Sequence, residues 1–384
     1  MPLSPLDENG NPVDWWFMYK VPKLKASDLT DATTGFEYVY FDSQMAESGQ
    51  SITRSSYTLD SDNGALFHTL DSLFSNPAAS TGWLLYNDEV PPSGPTSSTL
   101  GHTKGVLGFD AASDTAFWLL HSWPKFPLPD DSAQPSPMYG QTFLCLALDL
   151  DTARQLATQM HQYQEPQVYQ PRIPTQLAVD DPLRLLTSGI TDQDQAGSND
   201  LPLTTRGGKA FQVIAKNRQW DDDFWNNLVV VDLKVDLDVD TWINGPGEIP
   251  GTTDPSQTYH VEDIKYISFE AFQLNWCWPE NKDHAKWAIS EKNEGNWVCV
   301  GDINRKTTQR LRGGCTIAMQ EDELWGFLSQ TDKFVVPDGS GMTEASARTA
   351  VQKAAKSNLA AEAKARAERR KTSTAHHAAP AKKK

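Results

Sequence analysis

The sequence predicts an α/β protein made of two pseudo-symmetric halves. Three observations predict it. Apolar runs of strand length, bounded by Gly, Pro and Asp turns, recur between residues 11 and 150 and again after 209. A run at 151–163, DTARQLATQMHQY, has helical spacing with an Asp at its start. The third is an ordered echo: a strand ending in Lys, a His-x-Lys triplet and a Trp-led strand occur once in each half, in the same order.

The elements follow in chain order. NPVDWWFMYKVP (11–22) reads as an aromatic-rich strand, and TGWLLYNDEV (81–90) as an apolar one. GHTKGVLGFD (101–110), AFWLLHSWPKFP (116–127) and YGQTFLCLALDL (139–150) are three more strand-like runs, followed by the helix at 151–163. Residues 164–209 are rich in Pro, Gln, Asp and Gly and read as a linker or irregular crossover. Regular structure resumes with KAFQVIAKNRQW (209–220). VVVDLKVDLDVDTW (229–242) alternates apolar and charged residues, which predicts one half-buried strand. On it Asp232, Asp236, Asp238 and Asp240 would share a face with Lys234, read as solvated rather than as a calcium site. The expected division is 1–163, the linker 164–209, 210–340, and a basic Ala/Lys-rich tail at 341–384.

Composition narrows the class. Hydrophobic residues make up 39% of the 384, with 13 Trp, which supports a packed core and excludes a disordered chain. No run reaches the roughly 18 apolar residues of a membrane-crossing helix. Met1 to Gly10 show neither a basic start nor an apolar run, so no signal peptide is read there and the compartment stays open. Cys145, Cys277, Cys299 and Cys315 form no CxxC pair, which argues against a zinc or redox motif. Net charge is −16, unevenly placed. Residues 345–384 hold 11 Lys/Arg and two acids, leaving 23 basic against 48 acidic residues in 1–344. So acidic a body repels nucleic acid at neutral pH and repels it less near about pH 5, as carboxylates and histidines take up protons. The tail reads either as solubilising or as a basic arm for phosphates.

The echo carries chemistry. FMYK (17–20), HTK (102–104) and WLLHSWPK (118–125) are matched by VIAK (213–216), HAK (284–286) and WVCVGDIN (297–304). On a strand, His and Lys two apart share a face. Two such strands about a pseudo-twofold axis would gather His102, Lys104, His284 and Lys286 around one spot. That set suits a phosphodiester. The lysines neutralise non-bridging oxygens, one imidazole attacks phosphorus and the other protonates the leaving oxygen. No metal or other cofactor is needed. His68, His121, His161 and His260 lack this pairing and read as core or surface residues, although His121 adjoins Ser122.

These stretches resemble the deoxyribonuclease II family, a branch of the phospholipase D-like superfamily. The resemblance covers residues 11 to about 330 through VDWWFMYKVP, LLYNDEVPP, GHTKGVLGFD, FWLLHSWPKFP, YGQT, AFQVIAKNRQWDDD, DHAKW and WVCVGDINR. It implies two phospholipase D-like halves, each a mixed β-sheet flanked by helices, with the active site between them. It implies a metal-independent acid endonuclease that acts through a phosphohistidine and leaves 3′-phosphates. His102 would be the nucleophile, His284 the general acid, and Lys104 and Lys286 phosphate ligands. Asn304, with Asp302 of the same GDIN stretch, and Ser122 in the first half would contact substrate. Asp110 and Glu291 are the acids after each motif, six and five positions beyond the Lys, and could orient a histidine; Lys20 and Lys216 match the family in an open role. The expected partner is DNA, double-stranded by preference, with no membrane; a homodimer is left open. Absence of sequons and of the family's disulfide framework fits a bacterial or other non-animal member. A lipid-directed phosphodiesterase and a non-catalytic nucleic-acid-binding module are the competing readings.

Overall fold

A computed structural model describes residues 2–336, apart from 28–29, 131–134, 190–194, 244–245, 250–255, 292–293 and 332–334. The 341–384 tail lies outside the described residues. Two eight-stranded sheets carry the fold. The first takes β1 (Trp15–Lys20), β2 (Tyr38–Asp42), β3 (Thr53–Arg54), β4 (Thr81–Asn87), β5 (Lys104–Asp110), β6 (Thr115–His121), β7 (Gln141–Leu148) and β8 (Val168–Arg172). Its order is β3-β2-β1-β7-β6-β5-β4-β8. The second takes β9 (Ser198–Thr204), β10 (Ala210–Lys216), β11 (Leu237–Thr241) and β12 (Val261–Ile264). After a small hairpin of β13 (Tyr266–Ser268) and β14 (Cys277–Pro279), it adds β15 (Lys286–Ser290), β16 (Trp297–Gly301), β17 (Gly314–Gln320) and β18 (Val335–Val336). Its order is β18-β12-β11-β15-β16-β17-β10-β9.

The two orders superimpose. β2-β1-β7-β6-β5-β4-β8 reads onto β9-β10-β17-β16-β15-β11-β12, so the sequence echo is a structural repeat. FMYK and VIAK are β1 and β10, the His-x-Lys triplets lead into β5 and β15, and the Trp-led strands lie in β6 and β16. All pairings in the first sheet are antiparallel; the mixed character expected of both sheets is confined to the second, where β11 and β12 run parallel.

Burial of both faces explains the near-continuous apolar strands. On β1, Trp15, Phe17 and Tyr19 face a central core shared with Phe211, Val213 and Ala215 of β10. Trp16 and Met18 point outward under Leu66, Leu70 and Leu73 of a flanking helix. The second sheet covers its outer face with Trp225, Val229, Val230 and Leu233. The helices are α1 (Ser43–Glu47), α2 (Ala65–Phe74), α3 (Leu150–Gln159), α4 (Pro182–Leu185), α5 (Val230–Leu233) and α6 (Asp322–Thr331). α3 is the helix expected at 151–163; Asp149 caps its start by accepting from Thr152 N at 2.7 Å, and it widens into a π turn at Met160–Gln164. Among the described residues no helix is long and apolar enough to cross a membrane. Cys145, Cys277, Cys299 and Cys315 are free thiols.

Two expectations need correction. Segment 164–209 is not irregular throughout: its described residues supply β8 and β9, one for each sheet, where Tyr169 and Leu203 bury against the neighbouring strands. Nor is 229–242 one strand. Val229 closes a π turn, α5 follows, and Lys234 at φ 60° ends the helix before β11. The buried stripe Trp225, Val229, Val230, Leu233 has helical spacing, and its packing on the sheet overrides β propensity. The aspartate face is broken as a result. Asp240 is fully buried, not solvated.

Candidate active site

The site lies where the two sheets meet, and each half holds the other's histidine. His102 stands two residues before β5; its Nδ1 bonds the carbonyl of Asp302, the residue after β16. His284 stands two residues before β15; its Nδ1 bonds the carbonyl of Ser122, the residue after β6, at 2.9 Å. The backbone repeats the exchange. His102 N donates to Gly313 O and His284 N to Gly140 O, both at 2.9 Å. A Cβ at Gly140 would run into the Asp283 carboxylate, and one at Gly313 into the Gln164 carbonyl, so both close approaches need glycine. A carbonyl accepts only from a protonated nitrogen, so Nδ1 carries the hydrogen and the lone pair is on Nε2. Both rings are buried, His102 at 7% exposure and His284 at 3%.

Charge is arranged around them. Lys104 pairs with Asp88, whose other carboxylate oxygen lies 3.3 Å from Arg312 and 3.7 Å from His102 Nε2. Arg312 also donates to the carbonyls of Leu100 (2.6 Å) and Gly101 (2.8 Å), fixing the approach to His102. Lys286 Nζ donates to His284 O at 2.5 Å and lies 3.2 Å from its Nδ1. Behind it, Asp283 accepts from Tyr19 Oη and Trp278 Nε1 at 2.6 Å and from Ala285 N at 2.8 Å. The Trp242 ring lies 4.5 Å from that of His284, centre to centre, and the Tyr139 ring lies 5.4 Å from Trp242 and 6.4 Å from His284.

Other residues singled out from the sequence fall in different places. Ser122 and Asp302 serve through their carbonyls. Their side chains perform matching tasks on the next strand, Ser122 Oγ accepting from Thr142 N at 3.0 Å and Asp302 Oδ1 from Cys315 N at 2.8 Å. Asn304 is buried; its Oδ1 has no hydrogen-bond partner among the described residues. Asp110 and Glu291 do not orient a histidine. Asp110 sits at the far end of β5, binding Ser80, Thr81 and Ser113, and Glu291 lies just past the far end of β15. His121 is packed against Phe126 and Phe143, its Nδ1 accepting from Trp123 N; burial and then Lys104 push it down to about 3.

Lys20 and Lys216 are staples. Lys20 donates to Tyr139 O (2.6 Å) and Pro137 O (3.2 Å); Lys216 donates to Arg312 O (2.5 Å), Arg310 O (2.9 Å) and Gln309 O (3.2 Å). Each thus holds the loop that ends in Gly140 or Gly313. Burial lowers Lys20 to about 7 and Lys216 to about 8. Replacing Lys216 by Met is expected to leave the carbonyls of Arg310 and Arg312 without a donor, Gln309 O keeping Arg312 N, and to cost about 2 kcal/mol or more in urea unfolding. An unchanged midpoint would refute the staple.

The model of the deoxyribonuclease II family matches residues 4–337, nearly all of the described fold. The chain belongs to the deoxyribonuclease II family. It is therefore a hydrolase that cleaves DNA. It is similar to the "Putative deoxyribonuclease-2" of Burkholderia pseudomallei, 49% identical over 92% of this chain and 98% of that protein. It is also similar to deoxyribonuclease-2-alpha of Rattus norvegicus (34%, 84% and 91%) and to plancitoxin-1 of Acanthaster planci (31%, 83% and 87%). A bacterial relative at that identity agrees with the non-animal character read from the cysteines and sequons.

In this member of the family both histidines are shifted toward their neutral form. Burial, then Lys104, hold His102 well below its usual range, against the pull of Asp88. Burial, then Lys286 and Lys104, do the same to His284. Lys286 is itself lowered by burial and by Lys104. The four groups therefore act on one another across the interface. Sequence reasoning missed Asp88, Arg312, Tyr139, Trp242, Asp240 and Asp283. Asp88 and Asp283 did stand in the quoted stretches LLYNDEVPP and DHAKW.

Proposed function

We propose that this nuclease hydrolyses duplex DNA without a divalent metal, at acid pH, through a phosphohistidine, and leaves 3′-phosphates. The supporting observation is the reciprocal hold on His102 and His284, which ties up each Nδ1 and leaves the lone pair on Nε2, with Lys104 and Lys286 both acting electrostatically on the two rings. His102 Nε2 attacks phosphorus and the P–O5′ bond breaks. The 5′-oxygen takes a proton from the His284 imidazolium, and the 3′-phosphoryl group stays on His102. Neutral His284 then takes a proton from water as water attacks phosphorus. The P–N bond breaks, its electron pair returns to His102, and a 3′-phosphate leaves. Lys104 and Lys286 stabilise the non-bridging oxygens in both transition states.

The pH dependence follows from the sign of the shifts. The general acid must be protonated, and its pKa lies below the ordinary histidine value, so activity should climb as pH falls below about 6.5. Burial also raises Asp302 and Glu280 to about 7, so the body sheds negative charge over the same interval and repels DNA less.

The test is plasmid nicking in EDTA at about pH 5 and about pH 8, followed by denaturing trapping and mass mapping of the phosphate. Nicking at the lower pH with phosphate on His102 is expected. Activity restored only by magnesium, with no phosphoenzyme, would sink the mechanism.

A further inference from the structure

We propose that Trp242 and Tyr139 form a stacking subsite for the nucleobase on the 3′ side of the scissile phosphate. It rests on the reading in which His284 protonates the departing 5′-oxygen, since the aromatic pair lies on the His284 flank. The pseudo-symmetry breaks beside the two histidines. Asn87 pairs with Lys104 across β4 and β5, and Thr241 pairs with Lys286 across β11 and β15. The residue after each therefore takes the same place beside a histidine. In the first half it is Asp88; in the second it is Trp242.

The partners across the interface are matched as well. Arg312 precedes Gly313 and Tyr139 precedes Gly140, the two glycines whose carbonyls hold the histidine amides. Arg312 reaches Asp88 at 3.3 Å, whereas the Tyr139 ring meets Trp242 at 5.4 Å. One flank of the catalytic centre is thus an ion pair and the other an aromatic pair. The ion pair is buried, with Asp88 at 4% and Arg312 at 8% exposure, while Trp242 and Tyr139 are each half-buried residues. The Trp242 ring is tilted 55° to that of His284 and the Tyr139 ring 52° to that of Trp242.

A nucleobase has a π-face whatever its identity, so an aromatic surface holds it without sequence preference. Arg312 is already committed to Asp88 and two carbonyls, so the opposite flank offers no such platform. A base held on Trp242 would carry its sugar, and the 5′-oxygen on that sugar, to the His284 side. The subsite gives the cleft a direction that the duplicated His-x-Lys motifs lack.

The test uses short duplexes in which one phosphodiester is flanked by methylphosphonate linkages, with an abasic residue placed on its 3′ or its 5′ side. The wild-type enzyme should lose roughly 10- to 100-fold in kcat/KM when the 3′ base is missing, the range one stacked base contributes, and little when the 5′ base is missing. Trp242→Ala should show that loss on the intact duplex and none further on the 3′-abasic one; Trp242→Phe should keep most of the activity. Equal slowing of intact and abasic substrates by Trp242→Ala would reduce the ring to a wall behind His284 and overturn the proposal. So would a wild-type enzyme indifferent to either base, a result that needs no variant to fold. Sensitivity on the 5′ side instead would overturn the 3′ assignment together with the histidine roles. An enzyme that cuts but carries no phosphate on either histidine would defeat only the earlier mechanism.

Discussion

Under the proposed mechanism, alanine at His102 or His284 is expected to slow DNA cleavage by at least about 10⁴-fold, because each removes a group assigned to forming or breaking a bond. The fold should survive. Each substitution deletes one side-chain hydrogen bond to the opposite half and a modest buried volume, while the backbone exchange with Gly313 or Gly140 persists. DNA binding should survive too, since Lys104 and Lys286 remain. The two variants separate with a substrate whose leaving group needs no proton, such as a p-nitrophenyl phosphodiester. His284→Ala should then release a burst of nitrophenol and accumulate phosphate on His102. His102→Ala should do neither. Cleavage within ten-fold of wild type in either variant, or a burst in His102→Ala, would defeat the assigned roles.

The two His-x-Lys motifs were legible because their chemistry is written at fixed local spacing and repeated in a fixed order. The strand orders of the two sheets were not legible, since they join runs far apart in the chain; only their repetition matches the echo. What escaped the sequence was set by strand register. β5 runs from Lys104 to Asp110, and at about 3.3 Å per residue Asp110 lies roughly 20 Å from the lysine. A carboxylate following the motif along its own strand is carried out of the site. The acid that reaches His102 comes from the neighbouring strand, because Asn87 pairs with Lys104 and puts Asp88 beside the motif. Arg312 arrives from the other half and from the loop before β17. Trp242 ends a run that reads as one half-buried strand, since the break at Lys234 before β11 depends on packing against the second sheet. Local pattern shows which residues can do chemistry. Pairing across strands decides which of them meet.

Asp88 is the residue whose loss should cost the most stability. Burial alone would raise its pKa, yet Lys104, His102 and Arg312 together hold it well below the usual carboxylate range. Removing the carboxylate strands two buried cations and a histidine. Breaking a buried pair from one side costs about 3–5 kcal/mol, so Asp88→Ala should fall by that much in urea unfolding at about pH 7, with Asp88→Asn losing less because its shape is kept. The linkage sets the pH window. A depressed folded pKa gives stability that is present above the unfolded value of about 3.9 and is lost as pH falls through the folded one. At about pH 5 the cluster is therefore intact, as the proposed acid working range requires. Asp302 works the other way. Its pKa is raised to about 7, so its contribution is full below about 4 and is lost as pH climbs toward 7. Asp302 thus favours the acid side of neutrality, while the lowered pKa values of His102, His284 and His121 favour the side above the ordinary histidine value. Asp88→Ala should also push the activity profile further toward acid, since His102 loses the one carboxylate that raises its pKa. A variant with unchanged stability and an unshifted pH profile would show that Asp88 neither braces the site nor tunes His102.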